Sequence, residues 1–426
     1  MIPYSNPLNI KGLYDTVALV VINEYDSLLI ESHQCRYTLD GYSSYILDST
    51  QTREVKEMGV KIQLPPAQAA IKAEYSLRER SENPLIRAQE LVAIHLVRPD
   101  VLESCAYFED FGLSVDRKTS ERAYLHGLKD NRHSVIITKG PSKYEGFSVL
   151  ASSRDDLETL SKELNLPVEK NDPVRGGEKV TLRDPDGFMV EVVWGLNPIK
   201  STPYTNNTKI NKATKKERIN VPSVLEIKPA PVHKIGHTVL GISRFFTSLE
   251  WYQDTLGLIS SDFQVVKDEP IPVVCFFRFD RGDTPTDHHS IAIGGGVEVK
   301  NEHTAFEVED LDDVAAGGEW LKRRGYEHAW GIGRHTLGSQ IFDYWRDNVD
   351  HIFEHYADGD LYDASRPTGY HYFTKNAQHQ WGPSMPKDFM GKPSFEVVKT
   401  LIRRLRSDDD LSFPRIKRLL KAAGTE

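Results

Sequence analysis

His237, His303 and Glu354 are two imidazoles and one carboxylate, each at the end of a separate predicted strand. Such a set binds one face of an octahedral metal ion and leaves the other face open to further ligands. Three groups able to move protons or donate hydrogen bonds, His289, His335 and Tyr344, lie in the same stretch. Nine of the 15 histidines fall between His233 and His355, and metal-dependent chemistry is the leading explanation for that crowding. A single histidine on a strand is more often a satisfied polar group than a ligand, so the ordered set carries the reading. His288 competes with His289 for the proton-transfer role, and His335 and Tyr344 have pocket bracing as their blander alternative. His351 and His355 flank Glu354, where they are structural or orient it from behind. His233 and His328 read as structural or exposed, and Trp251, Phe277, Phe279 and Trp345 as core or pocket wall.

Internal repetition shows which elements position these groups. Tyr107–Leu113 returns as Tyr252–Leu258, each the end of a helix closed by a glycine able to take the left-handed conformation. Arg132–Ile137 returns as His288–Ile293, and Phe147–Leu150 as His303–Phe306, all with strand character. Each copy of the latter leads into an acidic helix start, at Arg154–Leu157 and Asp310–Asp313. Arg183–Glu191 returns as Arg346–Glu354, a turn followed by a strand carrying glutamate. Four echoes in one order imply an α+β chain with a duplicated module, each copy reading strand, helix, three strands. The copies span 88–195 and 231–358, joined by a polar, lysine-rich linker over 196–230. Residues 1–87 form an extension with apolar runs at Thr16–Asn23 and Tyr42–Leu47 and a helix expected over Pro66–Arg80. Residues 359–426 form a tail whose aromatic part suits a pocket mouth, with basic surface helices at Val397–Arg406 and Pro414–Lys421.

The two copies differ at the chemistry. Phe147 stands in the echo where the second copy has His303, and a phenyl ring cannot ligate a metal. Glu191 matches Glu354, His95 lies near the place of His237, and His133 matches His289. A lone carboxylate is expected to be solvated or paired, so the first module reads as metal-free.

Composition sets mild bounds. With 426 residues the chain needs more than one core, and 39% hydrophobic with 27% charged residues suits a soluble globular protein. A formal charge of −9 and a pI near 6.0 disfavour a nucleic-acid surface. Cys35, Cys105 and Cys275 have no disulfide-framework spacing, as expected in a reducing compartment. With no signal-like N-terminus and no long apolar run, a cytoplasmic location is expected. Asn206–Thr208 matches a glycosylation acceptor and reads as chance.

From Ala88 to Asp358 the chain resembles the type I extradiol ring-cleaving dioxygenases of the vicinal oxygen chelate superfamily, which has a glyoxalase-like fold. The resemblance rests on Gly236–Leu240, Asp287–Ile293 and His303–Val308, and on Gly333-Arg-His335 followed by Tyr344 and Glu354. It implies βαβββ modules, a metal-free first copy, and Fe(II) on His237, His303 and Glu354, with Mn(II) less favoured. It implies a catechol and dioxygen as substrates, His289 as acid/base, His335 and Tyr344 on the substrate oxygens, and a homo-oligomer. Two other readings share the module, a 4-hydroxyphenylpyruvate dioxygenase-like or glyoxalase-like enzyme and a non-catalytic protein that sequesters a small molecule. Two departures stand out. Asn348 and Asp350 replace the family's proline and glycine before the glutamate, a loop expected to survive, and Asp343 replaces a usual hydrophobic residue before Tyr344, which bears on substrate preference more than on activity.

Overall fold

The computed structural model describes residues 19–23, 27–31, 64–200, 210–296, 298–374, 377–386, 389, 399, 404–405 and 412–424. The run at Tyr42–Leu47, Cys35, the Asn206–Thr208 triplet and most of Val397–Arg406 lie outside them. Two compact units divide the chain, residues 1–65 and 66–426. In the first, Leu19–Asn23 and Ser27–Glu31 pair as an antiparallel hairpin. The second holds two large mixed sheets.

In the first sheet, Leu91–Arg98 lies antiparallel to Lys143–Leu150, which runs parallel to Met189–Trp194. The second sheet repeats this seam with Lys234–Ile242, Lys300–Glu307 and Ile352–Ala357. The strand, helix, three-strand unit expected once per module occurs twice in each. In the later copy these units run from Lys234–Ile242 to Ile291–Gly295 and from Lys300–Glu307 to Ile352–Ala357. Module-to-module echoes reveal only the larger period.

Local chemistry explains the boundaries. Helices Val101–Phe111 and Phe245–Leu256 both end on glycines at positive φ, Gly112 and Gly257. Asp310 caps helix Leu311–Arg324 by accepting from the Asp313 amide, and Lys322, Arg323 and Arg324 in its last turn complement the dipole. Helix Pro66–Tyr75 stops short of Arg80 because Ser76 turns left-handed at φ 47°. The following segment packs on the second module, where Arg78 Nη1 donates to Asp254 at 2.9 Å and the Ser260 amide donates to Glu79 at 2.8 Å. The described part of the linker contains neither helix nor strand. From the tail, Gly369–Tyr372 and His379–Trp381 extend the second sheet at its two edges, and Phe413–Gly424 is helical. Cys105 and Cys275 are buried free thiols.

The loop before Glu354 keeps its form despite its changed sequence. Asp347 Oδ1 accepts from the amides of Val349 and His351 at 3.0 and 2.8 Å. Asp184 Oδ1 does the same for Asp186 and Phe188 at 3.0 and 2.8 Å. Asp350 takes the positive φ that Gly187 takes in the first copy, 68° against 89°.

Candidate metal centre and pocket

Strand pairing assembles the three donors. His237 lies opposite Ala305, His303 opposite Val239, and Glu354 opposite Ala305 on its other side. The donors therefore share one face around Ala305. His237 Nε2 lies 3.3 Å from His303 Nε2 and 3.2 Å from Glu354 Oε2, and His303 Nε2 lies 3.3 Å from that same oxygen. Among the described residues this is the trio whose ligand atoms all fall within 4.8 Å. Glu354 is fully buried, yet neither of its oxygens has a hydrogen-bond partner among the described residues, and His237 Nδ1 also lacks one. A buried carboxylate without donors is costly unless a cation sits beside it. Burial also lowers the His237 pKa, keeping its nitrogen lone pair available. Two nitrogens and one oxygen on a single face suit Fe(II) or Mn(II).

The remaining candidates surround this face. His335 Nε2 lies 3.9 Å from Glu354 Oε1 and 2.8 Å from Tyr344 Oη, while His335 Nδ1 lies 2.9 Å from the Gln378 carbonyl. A carbonyl only accepts, so Nδ1 carries the proton and Nε2 accepts from the Tyr344 hydroxyl. Burial supports this arrangement, pushing His335 down to about 4 and Tyr344 well above its usual value. Trp330 stacks on Tyr344 with ring centroids 5.5 Å apart and 7° between planes, which fixes the phenol. His289 lies against His237 with ring centroids 4.1 Å apart, and burial holds its pKa well below the ordinary imidazole value.

Behind His289 stands a chain of groups that sequence reading missed in part. His288 Nδ1 meets His289 Nδ1 at 2.9 Å, His288 Nε2 meets Asp262 Oδ2 at 2.5 Å, and Asp262 Oδ1 meets His371 Nε2 at 2.8 Å. Burial raises the Asp262 carboxyl, but hydrogen bonds from His288 and His371 outweigh it and hold the group below the usual carboxylate range. His288 thus stands between His289 and Asp262.

All five of His237, His303, His289, His335 and Tyr344 border one cavity of about 290 Å³. Its walls are largely apolar, with Phe276 and Leu337 among them, and tail residues Phe373, Met385 and Phe389 also border it.

Three expectations need correction. His351 and His355 do not orient Glu354. His355 Nε2 bonds the Phe111 carbonyl at 2.7 Å with its ring stacked on Phe111, and His351 Nδ1 lies 3.3 Å from Arg98 Nη2, so both tie the two modules together. Strand alternation puts Asp343 on the face opposite Tyr344, where it pairs with His328 at 2.7 Å and accepts from Trp345 at 2.6 Å. It therefore gives no ground for an altered substrate preference. In the first module Glu191 pairs with Ser148, as Glu354 pairs with Ala305, so Gly146 rather than Phe147 occupies the place of His303. A Cβ on Gly146 would meet Met189 O at 1.9 Å, which leaves no room for a ligand there. Cations instead satisfy Glu191, with Arg175 Nη1 at 2.9 Å and Lys179 Nζ at 2.5 Å, while His95 lies 3.2 Å away. His133 pairs with Asp116 at 3.0 Å.

Residues 234–354 match the family model described as the Glyoxalase/Bleomycin resistance protein/Dioxygenase superfamily. This stretch is a domain of that superfamily. The chain is 27% identical over 323 residues to metapyrocatechase 2 of Cupriavidus necator, covering 73% of this chain and 96% of that protein. Among solved structures, the Mn(II)-bound glyoxalase of Novosphingobium aromaticivorans matches with a TM-score of 0.60 and 21% identity, covering 72% of this chain and 95% of its own. Homoprotocatechuate 2,3-dioxygenase of Arthrobacter globiformis matches with a TM-score of 0.60 and 18% identity, covering 74% and 94%. These superfamily neighbours share the glyoxalase-like α+β fold. No helix among the described residues is long and apolar enough to cross a membrane.

Proposed function

We propose that this protein is an extradiol dioxygenase, cleaving a catechol with dioxygen beside its two hydroxyls at a mononuclear Fe(II) held by His237, His303 and Glu354. The observation that carries the reading is convergence. Three proton-handling groups, His289, His335 and Tyr344, border the same cavity as His237 and His303 of the donor trio. A protein that only sequestered a ligand would not need them, and the similarity to metapyrocatechase 2 over nearly its whole length supports the same activity. When bound, a ferrous ion supplies the electron path that lets a singlet catechol react with triplet dioxygen, and its charge favours the catecholate.

The chain's own groups do the rest. Two neutral imidazoles and one carboxylate leave a divalent site with net positive charge, which draws in the catecholate. His335 and Tyr344 form a fixed pair that orients the substrate oxygens, with the phenol kept protonated by burial. His289 is neutral at working pH, so its Nε2 can take a proton from a substrate hydroxyl and return it to oxygen as the ring opens. The apolar walls exclude water from the opened product, a 2-hydroxymuconic-semialdehyde type compound. In the test, the protein is loaded with Fe(II) anaerobically, mixed with catechols and then exposed to air. Oxygen uptake matched one-to-one by a yellow product supports the reading, and neither appearing refutes it.

A further inference from the structure

We propose that the substrate is a catechol bearing an uncharged, apolar substituent, and that Gly294 determines this by leaving open the space the substituent fills. The inference rests on the ring-cleaving reading and deepens it.

Gly294 sits in the strand Ile291–Gly295, opposite Gly241 on one side and Val274 on the other. The same register places Ala292 opposite Val239 and Phe276, so strand alternation puts Gly294 on the face shared by Val239, Val274 and Phe276. Those three residues and Gly294 all border the cavity that His237 and His303 of the donor trio also border. Glycine inside a strand costs about 0.5–1 kcal/mol relative to alanine and calls for a reason. Backbone conformation is not the reason, since Gly294 is not among the residues with positive φ. Crowding is not the reason either. The nearest atom to a Cβ built there is Val273 O at 3.8 Å, an ordinary contact. What a side chain at 294 would occupy is the cavity itself.

Position and lining then specify the ligand. Gly241, the residue paired with Gly294, lies two residues along its strand from Val239, which is opposite His303, and four from His237, or about 7 and 13 Å. A substituent on a catechol held at the donor trio extends along this strand toward Gly294. Around this arm the walls are Val239, Val274 and Phe276. Among the described lining residues there is no lysine or arginine, and the one carboxylate is Glu302. The arginines behind this wall are already engaged, Arg404 by the Gly296 and Ser243 carbonyls and Arg415 by Glu269, so a carboxylated substituent would face Glu302, whereas an alkyl or aryl group would be well solvated by the walls.

Wild type, Gly294→Ala and Gly294→Val, each reconstituted anaerobically with Fe(II), are compared on catechol, 4-tert-butylcatechol, 3-phenylcatechol and 3,4-dihydroxyphenylacetate. Wild type is expected to favour the better of the two apolar substrates over the carboxylated one by about 100-fold in kcat/KM, the scale of several lost favourable contacts. In Gly294→Val the kcat/KM ratio of that substrate to catechol is expected to fall about tenfold or more, as one or two intruding methyl groups can do. Its anaerobic dissociation constant, read by calorimetry without turnover, should weaken in parallel, with thermal melts establishing that both variants are folded. Equal or better turnover of 3,4-dihydroxyphenylacetate, or a ratio and dissociation constant unmoved by valine, overturns the inference while leaving ring cleavage intact. No turnover of any catechol by wild type overturns both.

Discussion

The Nδ1 atoms of His288 and His289 face each other at 2.9 Å, so one ring donates and the other accepts. Asp262 holds the far nitrogen of His288 at 2.5 Å, which fixes the His288 ring and, through it, the ring of His289. His289, which borders the cavity, is thereby held by a residue that does not.

This arrangement predicts a divided effect on kinetics. In His288→Gln the side-chain amide can still reach Asp262 but cannot replace Nδ1, whereas His288→Asn keeps a group near Nδ1. His288→Gln is expected to lower kcat about 10- to 100-fold with little change in KM for the catechol, and His288→Asn to restore part of the loss. Steady-state kinetics with both substrates varied checks this. A loss in KM alone would mean that His288 merely shapes the pocket.

Removing the carboxylate of the donor trio should separate metal binding from folding. Glu354→Gln is expected to bind Fe(II) at least about 100-fold more weakly, because the site loses its anionic ligand. Its metal-free form should melt no lower than metal-free wild type, since the buried carboxylate has no hydrogen-bond donor among the described residues to lose. Added Fe(II) should raise the melting temperature of wild type and not of the variant. Calorimetry and metal analysis provide the readout.

The first module makes the converse prediction. Arg175→Ala removes a cation from buried Glu191 and should destabilise the protein by about 3–5 kcal/mol, the cost of breaking a buried ion pair from one side. Replacing Glu191 as well should recover part of that loss. Metal stoichiometry should stay at one throughout, because Gly146 supplies no ligand. Denaturant titration paired with metal analysis tests both statements.

Histidine burial sets a pH dependence. Burial and the neighbouring Arg98 guanidinium push His351 down to about 4, against an ordinary value of 6.5. Between those values the unfolded chain takes up a proton that the folded chain refuses, so stability falls as pH drops from 6.5 toward 4 and is fully present above 6.5. His351→Gln should flatten this slope for the metal-free protein. Urea unfolding at stepped pH measures it, and an unchanged slope would assign the dependence to other groups.

Why some of this was legible in sequence and some was not has a physical basis. His237, His303 and Glu354 each fall on a strand with recognisable alternation, and the module repeat places those strands in order. Asp262 and His371 carried no such signal. They reach His288 only because Ile259–Val265 and Gly369–Tyr372 are neighbours in the sheet, a long-range pairing that no local pattern announces. The Phe147 comparison set the wrong residue against His303, because a linear echo does not register which residue lies opposite the glutamate. Asp343 suggested specificity for the same reason. Its face of the strand was invisible until Tyr344 was placed.

The account turns on one ion at one place. Crystals grown with Fe(II) under anaerobic conditions, with anomalous scattering recorded on both sides of the iron edge, test this most directly. The prediction is a single strong peak per chain, bonded to His237, His303 and Glu354 and open toward His289. A peak in the first module beside Glu191, or none between the three donors at full iron loading, would contradict it.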